Sequence, residues 1–282
     1  MKWRLLVGLV GSIGLVAAFA QIEPVYELRN VDLTGWDCKP EGAAKTPEGQ
    51  ERNRQKNRGS DLANAKPVEF DTPAFLAHAL EYDRQLGVTR RRDMNLDQKN
   101  MLARFENETV SLTGWLDFAY QGLPEQTNCN SDQFVDWHLE LFSAPSDHAP
   151  RVGDATPIIC EITPRTESAV YRSGARIQNL APFLRLPDIA TRTESVLKGG
   201  GVRIEKLAPS LHLPENNVTP TSGGKAHKVR VTGFLFWDDE HIGPNDVGRT
   251  VQRFNARGWH NPWRSTAWEI HPVLKIEDLG TQ

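Results

Sequence analysis

From residue 108 onward, apolar and polar side chains alternate with a period of two in five segments, which predicts half-buried β-strands. The segments are TVSLTGWLDFAY, FVDWHLELF, PIICEITP, HKVRVTGFLFW and TAWEIHPVLKI. A long connection separates the third from the fourth, as in an OB-fold, and Gly114 and Gly233 interrupt strands one and four where such a barrel must bend. A β-sandwich is the alternative, but it normally needs about seven strands. We therefore expect a mainly β protein built on a five-stranded, OB-fold-like barrel.

Before this region, helical periodicity predicts two helices. The segment FDTPAFLAHALEYDRQLG predicts a helix with Asp71 or Thr72 as its cap, Pro73 in its first turn and Gly87 as its stop. NLDQKNMLARF predicts a second short helix. The earlier stretch KPEGAAKTPEGQERNRQKNRGSD is rich in Gly, Pro, Asn and charge, and it predicts irregular chain lying on the rest of the protein. We expect a partly helical N-terminal extension over residues 21–106 and a barrel domain over 107–278.

The first 20 residues have the pattern of a secretory signal peptide. Lys2 and Arg4 precede an apolar run that starts at Leu5 and ends in Ala18-Phe19-Ala20. An uncleaved anchor is the alternative, but the run is short of the roughly 20 residues that span a bilayer. No later stretch is apolar enough to cross a membrane. We expect an exported protein, periplasmic or extracellular, that folds in an oxidising compartment.

Charge and cysteine content argue against two classes of function and predict one disulfide. Without residues 1–20 the chain has 31 basic and 36 acidic residues, a net charge of about −5 that disfavours nucleic-acid binding. The three cysteines allow one disulfide, and no CxxC or CxxH spacing indicates a structural zinc site of the usual kind. Cys160 alternates with Ile158 and Ile162, which places it in the core. We therefore predict a disulfide between Cys38 and Cys129 that joins the extension to the barrel.

Further motifs extend over most of residues 31–275: DLTGWDCKPEGAAKTPEGQERNRQKNR, TNC ahead of DWHLEL, CEITPR, VTGFLFWDDEH and WEIHPV. Together they resemble a group of uncharacterised exported bacterial proteins with an OB-fold-like β-barrel domain. The resemblance implies export and a barrel in which the third strand lies between the second and the fifth. It implies no particular activity.

With that strand order, the alternation places His138, Glu161, Glu269 and His271 on neighbouring strands of one outer face. His138, Glu161 and His271 could bind a divalent metal with open positions, and Glu161 or Glu269 could act as a base in a metal-dependent hydrolase. The alternative is a row of ordinary cross-strand Glu–His pairs on a face turned to water. Strand register decides between them and cannot be read from the sequence. No other cofactor is expected.

The loop between the fourth and fifth strands is rich in cations and aromatic rings, which suit anionic polymers or sugar rings. Its candidate ligand-binding residues are Arg249, Arg253, Arg257, Trp259, Trp263 and Arg264. On a helix begun at Asn245 or Asp246, the first three of these arginines would share a face. The alternative is that the tryptophans cap the barrel while the arginines are solvated. The run Arg90-Arg91-Arg92 is interpreted as a solvated face.

These patterns favour an exported, non-catalytic binding module for an anionic or carbohydrate polymer of the cell envelope. Two alternatives stay open. One is a metal-dependent hydrolase that uses the outer His/Glu face, and the other is a structural scaffold that binds an envelope protein. The sequence does not indicate an oligomeric state.

Overall fold

The computed structural model describes residues 27–59, 66–146, 148, 150–177, 226–254 and 260–281. The predicted signal peptide lies outside this part of the chain. The helices are α1 (Pro47–Lys56), α2 (Thr72–Leu86), α3 (Leu96–Glu106) and α4 (Pro164–Arg172). The strands are β1 (Val68–Asp71), β2 (Thr109–Gln121), β3 (Trp137–Phe142), β4 (Ile158–Ile162), β5 (His227–Trp237), β6 (Arg253–Phe254), β7 (His260–Asn261) and β8 (Trp268–Thr281).

Five strands close into a barrel in the order β2-β3-β4-β8-β5, with β5 pairing back onto β2. The pairings within the barrel are antiparallel except for β4 with β8, and β1 adds a parallel edge to β2. These five strands are the five predicted segments. The fold class is therefore confirmed as a mainly β, five-stranded mixed barrel with a partly helical N-terminal part, compatible with an OB-fold-like barrel.

The inward positions of the strands form a single hydrophobic core, and α2 and α3 contribute to it. Tyr82 of α2 stacks on Phe105 of α3 at a ring-centroid distance of 3.6 Å, and both rings meet Trp268 edge-on at 5.5 and 6.1 Å. Trp237 lies 5.0 Å from Trp268 on the neighbouring strand. The two helices therefore pack against an aromatic part of the barrel core.

Local signals explain where α2 and α3 begin and end. Asp71 accepts a hydrogen bond from the backbone N–H of Ala74 at 2.9 Å, and α2 ends at Gly87, whose φ is +71°. Asn95 and Gln98 form a capping box at the start of α3. Both predicted helices are confirmed.

Helix α1 corrects the expectation of irregular chain before residue 72. Thr46 caps it by accepting from the Gly49 N–H at 3.1 Å, and Pro47 occupies its first turn. The buried positions of α1 include Asn53 and Lys56, so the helix has no apolar stripe. A search for hydrophobic periodicity misses such a helix because its buried face is polar.

Gly233 lies where β5 and β8 change register on both sides. A Cβ atom there would lie 2.3 Å from the carbonyl oxygen of Pro272. This close approach of two backbones requires glycine at the interruption predicted for strand four.

The disulfide between Cys38 and Cys129 is present, as predicted, and Cys160 is a buried free thiol. The bridge joins residues 91 positions apart. Closing a loop of that length stabilises the folded chain by roughly 4 to 5 kcal/mol in the chain-entropy model. Among the described helices, none is long and apolar enough to cross a bilayer.

Candidate metal centre

The polar outer face of the barrel is buried, so the alternative of a face turned to water is wrong. Strand register pairs His138 with Glu161, and the parallel pairing of Cys160 with Ile270 brings Glu161 next to β8. The side chains of Glu269 and His271 are 0% exposed, that of Glu161 is 3% exposed and that of His138 is 13% exposed. Carboxylates and imidazoles at this depth need partners, because an unpaired buried charge is strongly unfavourable.

Two segments distant in sequence cover this face. Helix α1 packs on β8 and buries Lys56, whose ammonium group acts electrostatically on Glu161 and Glu269. From the loop before β8, Arg264 places Nη1 3.0 Å from Oδ2 of Asp238 and 3.1 Å from Oε2 of Glu269. The face is therefore enclosed between the barrel and a cover that itself carries positive charge.

The carboxylate of Glu161 is the centre of the buried contacts. His138 Nε2 lies 3.1 Å from Glu161 Oε1, and His271 Nδ1 lies 3.0 Å from Glu161 Oε2. His271 Nδ1 also lies 3.0 Å from Oε1 of Glu269. The structure thus brings the four residues of the predicted outer face into one connected cluster.

Asp136 belongs to the same cluster, although the sequence analysis did not select it as a ligand. Its Oδ2 lies 3.9 Å from Nε2 of His271. Asp136, Glu161 and His271 each offer one potential ligand atom, and the three atoms lie within 4.8 Å of one another. The available signal was position, because Asp136 is two residues before His138 and shares its side of the chain.

Each of these three residues has one polar atom held by a neighbour and a second one without a hydrogen-bond partner in the described chain. The held atoms are Asp136 Oδ1, to which Asn128 donates at 2.8 Å, Glu161 Oε1, which His138 contacts at 3.1 Å, and His271 Nδ1, which Glu269 contacts at 3.0 Å. The atoms that make no hydrogen bond are Asp136 Oδ2, His271 Nε2 and Glu161 Oε2, of which the last lies 3.0 Å from His271 Nδ1 as an ion-pair contact. Neighbours that orient one atom of a ligand and leave the other open are typical of metal sites.

Burial and charge shift the pKa values of the cluster. Burial is the largest single effect and lowers the pKa of His138 and His271, but the charge of Glu161, its hydrogen bonds and the other neighbouring carboxylates together outweigh it and raise both to about 9. Burial raises the pKa of Asp136 to about 7. Burial opposes ionisation of Glu161 too, yet the two histidines and Lys56 hold its pKa well below the usual range.

The fixed charges of the cluster are unbalanced. Five buried carboxyl groups, from Asp136, Glu140, Glu161, Asp238 and Glu269, face two buried cations, from Lys56 and Arg264, and burial raises the pKa of Glu140 to about 8. With Glu140 protonated and the other four ionised, the deficit of two positive charges can be met by protons on both histidines or by one divalent cation. The raised pKa values of the histidines reflect this surplus of negative charge.

The predicted ligand-binding loop adopts a different structure from the one expected. The prediction of a helix that begins at Asn245 or Asp246 is wrong. The chain forms a tight turn there, in which the backbone N–H groups of Asp246 and Val247 both donate to the carbonyl of Gly243. Gly248 then packs against Pro262. A Cβ atom at position 248 would lie only 2.5 Å from Pro262 Cγ, so the contact leaves no room for a side chain. The spacing of the arginines therefore does not place them on one helical face.

Arg249 and Arg253 are exposed in this loop, and Arg253 lies in β6. Trp263 is half-buried and donates its Nε1–H to Asp246 at 3.0 Å, while Arg264 is buried with its ion pairs. Arg257 and Trp259 lie outside the described residues. Binding of a polymer by this loop stays a prediction. Arg264 is buried and is therefore no longer among the residues that could contact such a ligand.

Arg91 also departs from its expected place on a solvated face. Its guanidinium forms a bidentate pair with Glu106 and donates to the carbonyl of Trp237 at 2.6 Å, and its backbone N–H donates to Asp239 at 3.0 Å. Arg92 beside it has a 69% exposed side chain. The charge run is thus divided between a buried network and solvent.

No family model, curated protein or solved structure matches this chain. The resemblance to exported bacterial proteins therefore remains a prediction, and function is inferred from the site.

Proposed function

We propose that this is an exported, non-catalytic protein that binds one divalent cation, zinc fitting best, through Asp136, Glu161 and His271. The observation that carries the proposal is the set of three buried residues, each with one atom held by a neighbour and one unsatisfied atom. An imidazole with two carboxylates suits zinc, whereas calcium prefers oxygen ligands alone. His138 and Glu269 become the residues that orient Glu161 and His271.

The spacing of the donor atoms supports an ion of this size. Donors about 2.1 Å from a tetrahedral zinc ion lie roughly 3.4 Å apart. One potential ligand atom from each of the three residues lies within 4.8 Å of the other two, and Asp136 Oδ2 is 3.9 Å from His271 Nε2. Shifts of about 1 Å or less in these side chains would close the site around the ion.

Charge supports the same assignment. A divalent ion supplies the two positive charges that the buried carboxylates lack, and it replaces protons on the histidines. Binding of the ion should therefore release protons, as expected when a metal displaces them from its ligands.

Burial supports binding over hydrolysis. The ligand side chains are at most 3% exposed, and α1 with Arg264 covers them. A polymer substrate would have no direct access to a water molecule on the ion. We infer that the ion links β4, β8 and the residue before β3 beneath the extension, and the disulfide supports an oxidising, exported setting.

The test is isothermal titration of zinc into protein that has been freed of metal with a chelator. We expect one zinc ion per chain and a loss of at least about 100-fold in affinity for Asp136→Asn. Asp117→Asn is the matched control, since Asp117 is another buried carboxyl that accepts one hydrogen bond, from the backbone N–H of Ser146, and has one oxygen without a partner among the described residues. Absence of zinc binding, or equal binding by Asp136→Asn and the wild type, would contradict the proposal.

A further inference from the structure

The loop of residues 125–130, named the latch loop here, connects the disulfide to the proposed cation site. Asn128 lies in it and donates its Nδ2–H to Asp136 Oδ1 at 2.8 Å, and both residues are 0% exposed. The next residue is Cys129, bonded to Cys38 of the N-terminal extension. Only one peptide bond therefore separates the disulfide from the residue that orients a proposed ligand.

The latch loop is held mainly from the side of the extension. Asn57 donates to the carbonyl of Thr127 at 2.9 Å, and the backbone N–H of Ala43 donates to the carbonyl of Gln126 at 2.8 Å. Cys129 itself has a positive φ of 55°, an uncommon conformation for a residue with a side chain. The extension therefore helps to hold the latch loop in place, and the disulfide is the covalent bond between the two.

The position of the bridge allows a reductant to reach it. Cys38 is buried, but Cys129 is half-buried and Asn130 beside it is exposed, so a reductant can approach the bridge from the side of Cys129, whereas Cys160 is fully buried in the core. Burial raises the pKa of Cys160 well above its usual value, so this thiol stays protonated and does not compete for the bridge.

We propose that the Cys38–Cys129 disulfide is a redox switch for the cation site, so that its reduction by a dithiol weakens zinc binding. The inference rests on the proposed function. One thiolate of the dithiol attacks Sγ of Cys129, which forms a mixed disulfide and breaks the bridge with Cys38 leaving as a thiolate. The second thiol, as a thiolate, then attacks the dithiol sulfur of the mixed disulfide and releases Cys129. The dithiol is oxidised to its own disulfide, and Cys38 and Cys129 receive the two electrons and end as thiols.

Reduction acts on the ion through Asn128. Once the covalent tie is lost, the latch loop samples other conformations and Asp136 Oδ1 loses its fixed donor. Loss of such an orienting partner typically weakens metal binding 10- to 100-fold. By thermodynamic linkage, bound zinc should make the disulfide harder to reduce by the same factor.

The experiment compares zinc affinity in the oxidised wild type, the Cys38→Ser/Cys129→Ser double variant and Asn128→Ala. We expect the double variant and Asn128→Ala each to bind about 10- to 100-fold more weakly, and their combination to add little, because both act on one path. Arg54→Ala, which removes exposed pairs of the extension with Glu41 and Glu51, is the control and should not change affinity.

The outcomes separate the two proposals. Oxidised wild-type protein that binds no zinc overturns the proposed function itself. If the oxidised wild type binds zinc tightly and the zinc affinity of the double variant is within twofold of it, only the redox switch is overturned. If the double variant does not fold, as circular dichroism would show, Asn128→Ala decides, and unchanged affinity in that variant overturns the switch.

Discussion

Replacing Asp136 with asparagine should stabilise the metal-free protein and remove most of the stabilisation that zinc provides. In protein freed of metal, the Asp136 carboxyl is completely buried and one of its oxygens has no hydrogen-bond partner among the described residues. Asparagine has nearly the same shape, keeps an acceptor for Asn128 and carries no charge. The substitution therefore removes an unfavourable buried charge and should stabilise the metal-free protein.

The magnitude follows from the pKa of Asp136, which burial raises from 3.8 to about 7. Because the folded protein holds this proton more tightly than the unfolded chain, stability falls as the pH rises from about 4 to about 7. Above that window the full penalty is present, and the difference between a pKa of 3.8 and one of about 7 corresponds to at most roughly 4 kcal/mol. Asparagine does not titrate, so Asp136→Asn should be more stable than the wild type at pH 8 by up to this amount.

Zinc should reduce or reverse the stability difference between Asp136→Asn and the wild type. A ligand that binds only the folded state at 100 times its dissociation constant adds about 2.7 kcal/mol to stability, and higher concentrations add more. The wild type should gain this increment, whereas Asp136→Asn should gain little because it lacks one of the three ligands. The stability advantage of the variant should therefore shrink or invert as zinc is added.

The assay is urea unfolding at pH 8, with chelator and with zinc. Asp117→Asn is the control, since burial also raises the pKa of Asp117 to about 7 while its only described hydrogen bond is from Ser146. Both variants should be stabilised in chelator, and only Asp117→Asn should keep the full zinc increment. Equal zinc increments in the two variants would refute the reasoning, and so would destabilisation of Asp136→Asn in chelator.

Two further predictions concern the neighbours of the cluster. Glu269→Gln should weaken zinc binding 10- to 100-fold by titration calorimetry, because His271 Nδ1 loses the carboxylate that orients it, and unchanged affinity would count against that role. Arg91→Met should lower the free energy of unfolding by about 3 to 5 kcal/mol, because it leaves Glu106 buried without its cation, while Arg92→Met should have little effect. Similar urea midpoints for these two variants would contradict the second prediction.

The barrel could be predicted from sequence because each of its strands alternates strongly between apolar and polar residues. Trp137, Leu139 and Leu141 point into the core as that pattern requires. Helix α1 could not be found in the same way, since Asn53 and Lys56 form part of its buried side. Its start signal was present in Thr46-Pro47, but capping residues without an apolar stripe do not distinguish a short helix from a turn.

The candidate site could be predicted only in part. Alternation placed His138, Glu161 and His271 on one face, and the structure brings them into contact. The burial of that face depends on Arg264 and α1, which are distant in sequence from the strands they cover. The choice of Asp136 over His138 as a ligand depends on which atoms are already hydrogen-bonded, and that follows from strand register and rotamers.

The most direct test of the cation site is anomalous diffraction from crystals of the zinc-loaded protein, with data collected on both sides of the zinc absorption edge. The account predicts one strong anomalous peak per chain, about 2.0 to 2.2 Å from Asp136 Oδ2, Glu161 Oε2 and His271 Nε2. His138 and Glu269 should lie one shell further out, against Glu161 and His271. A map with no peak in this cluster, or with zinc only at exposed pairs such as His227 and Asp278, would contradict it.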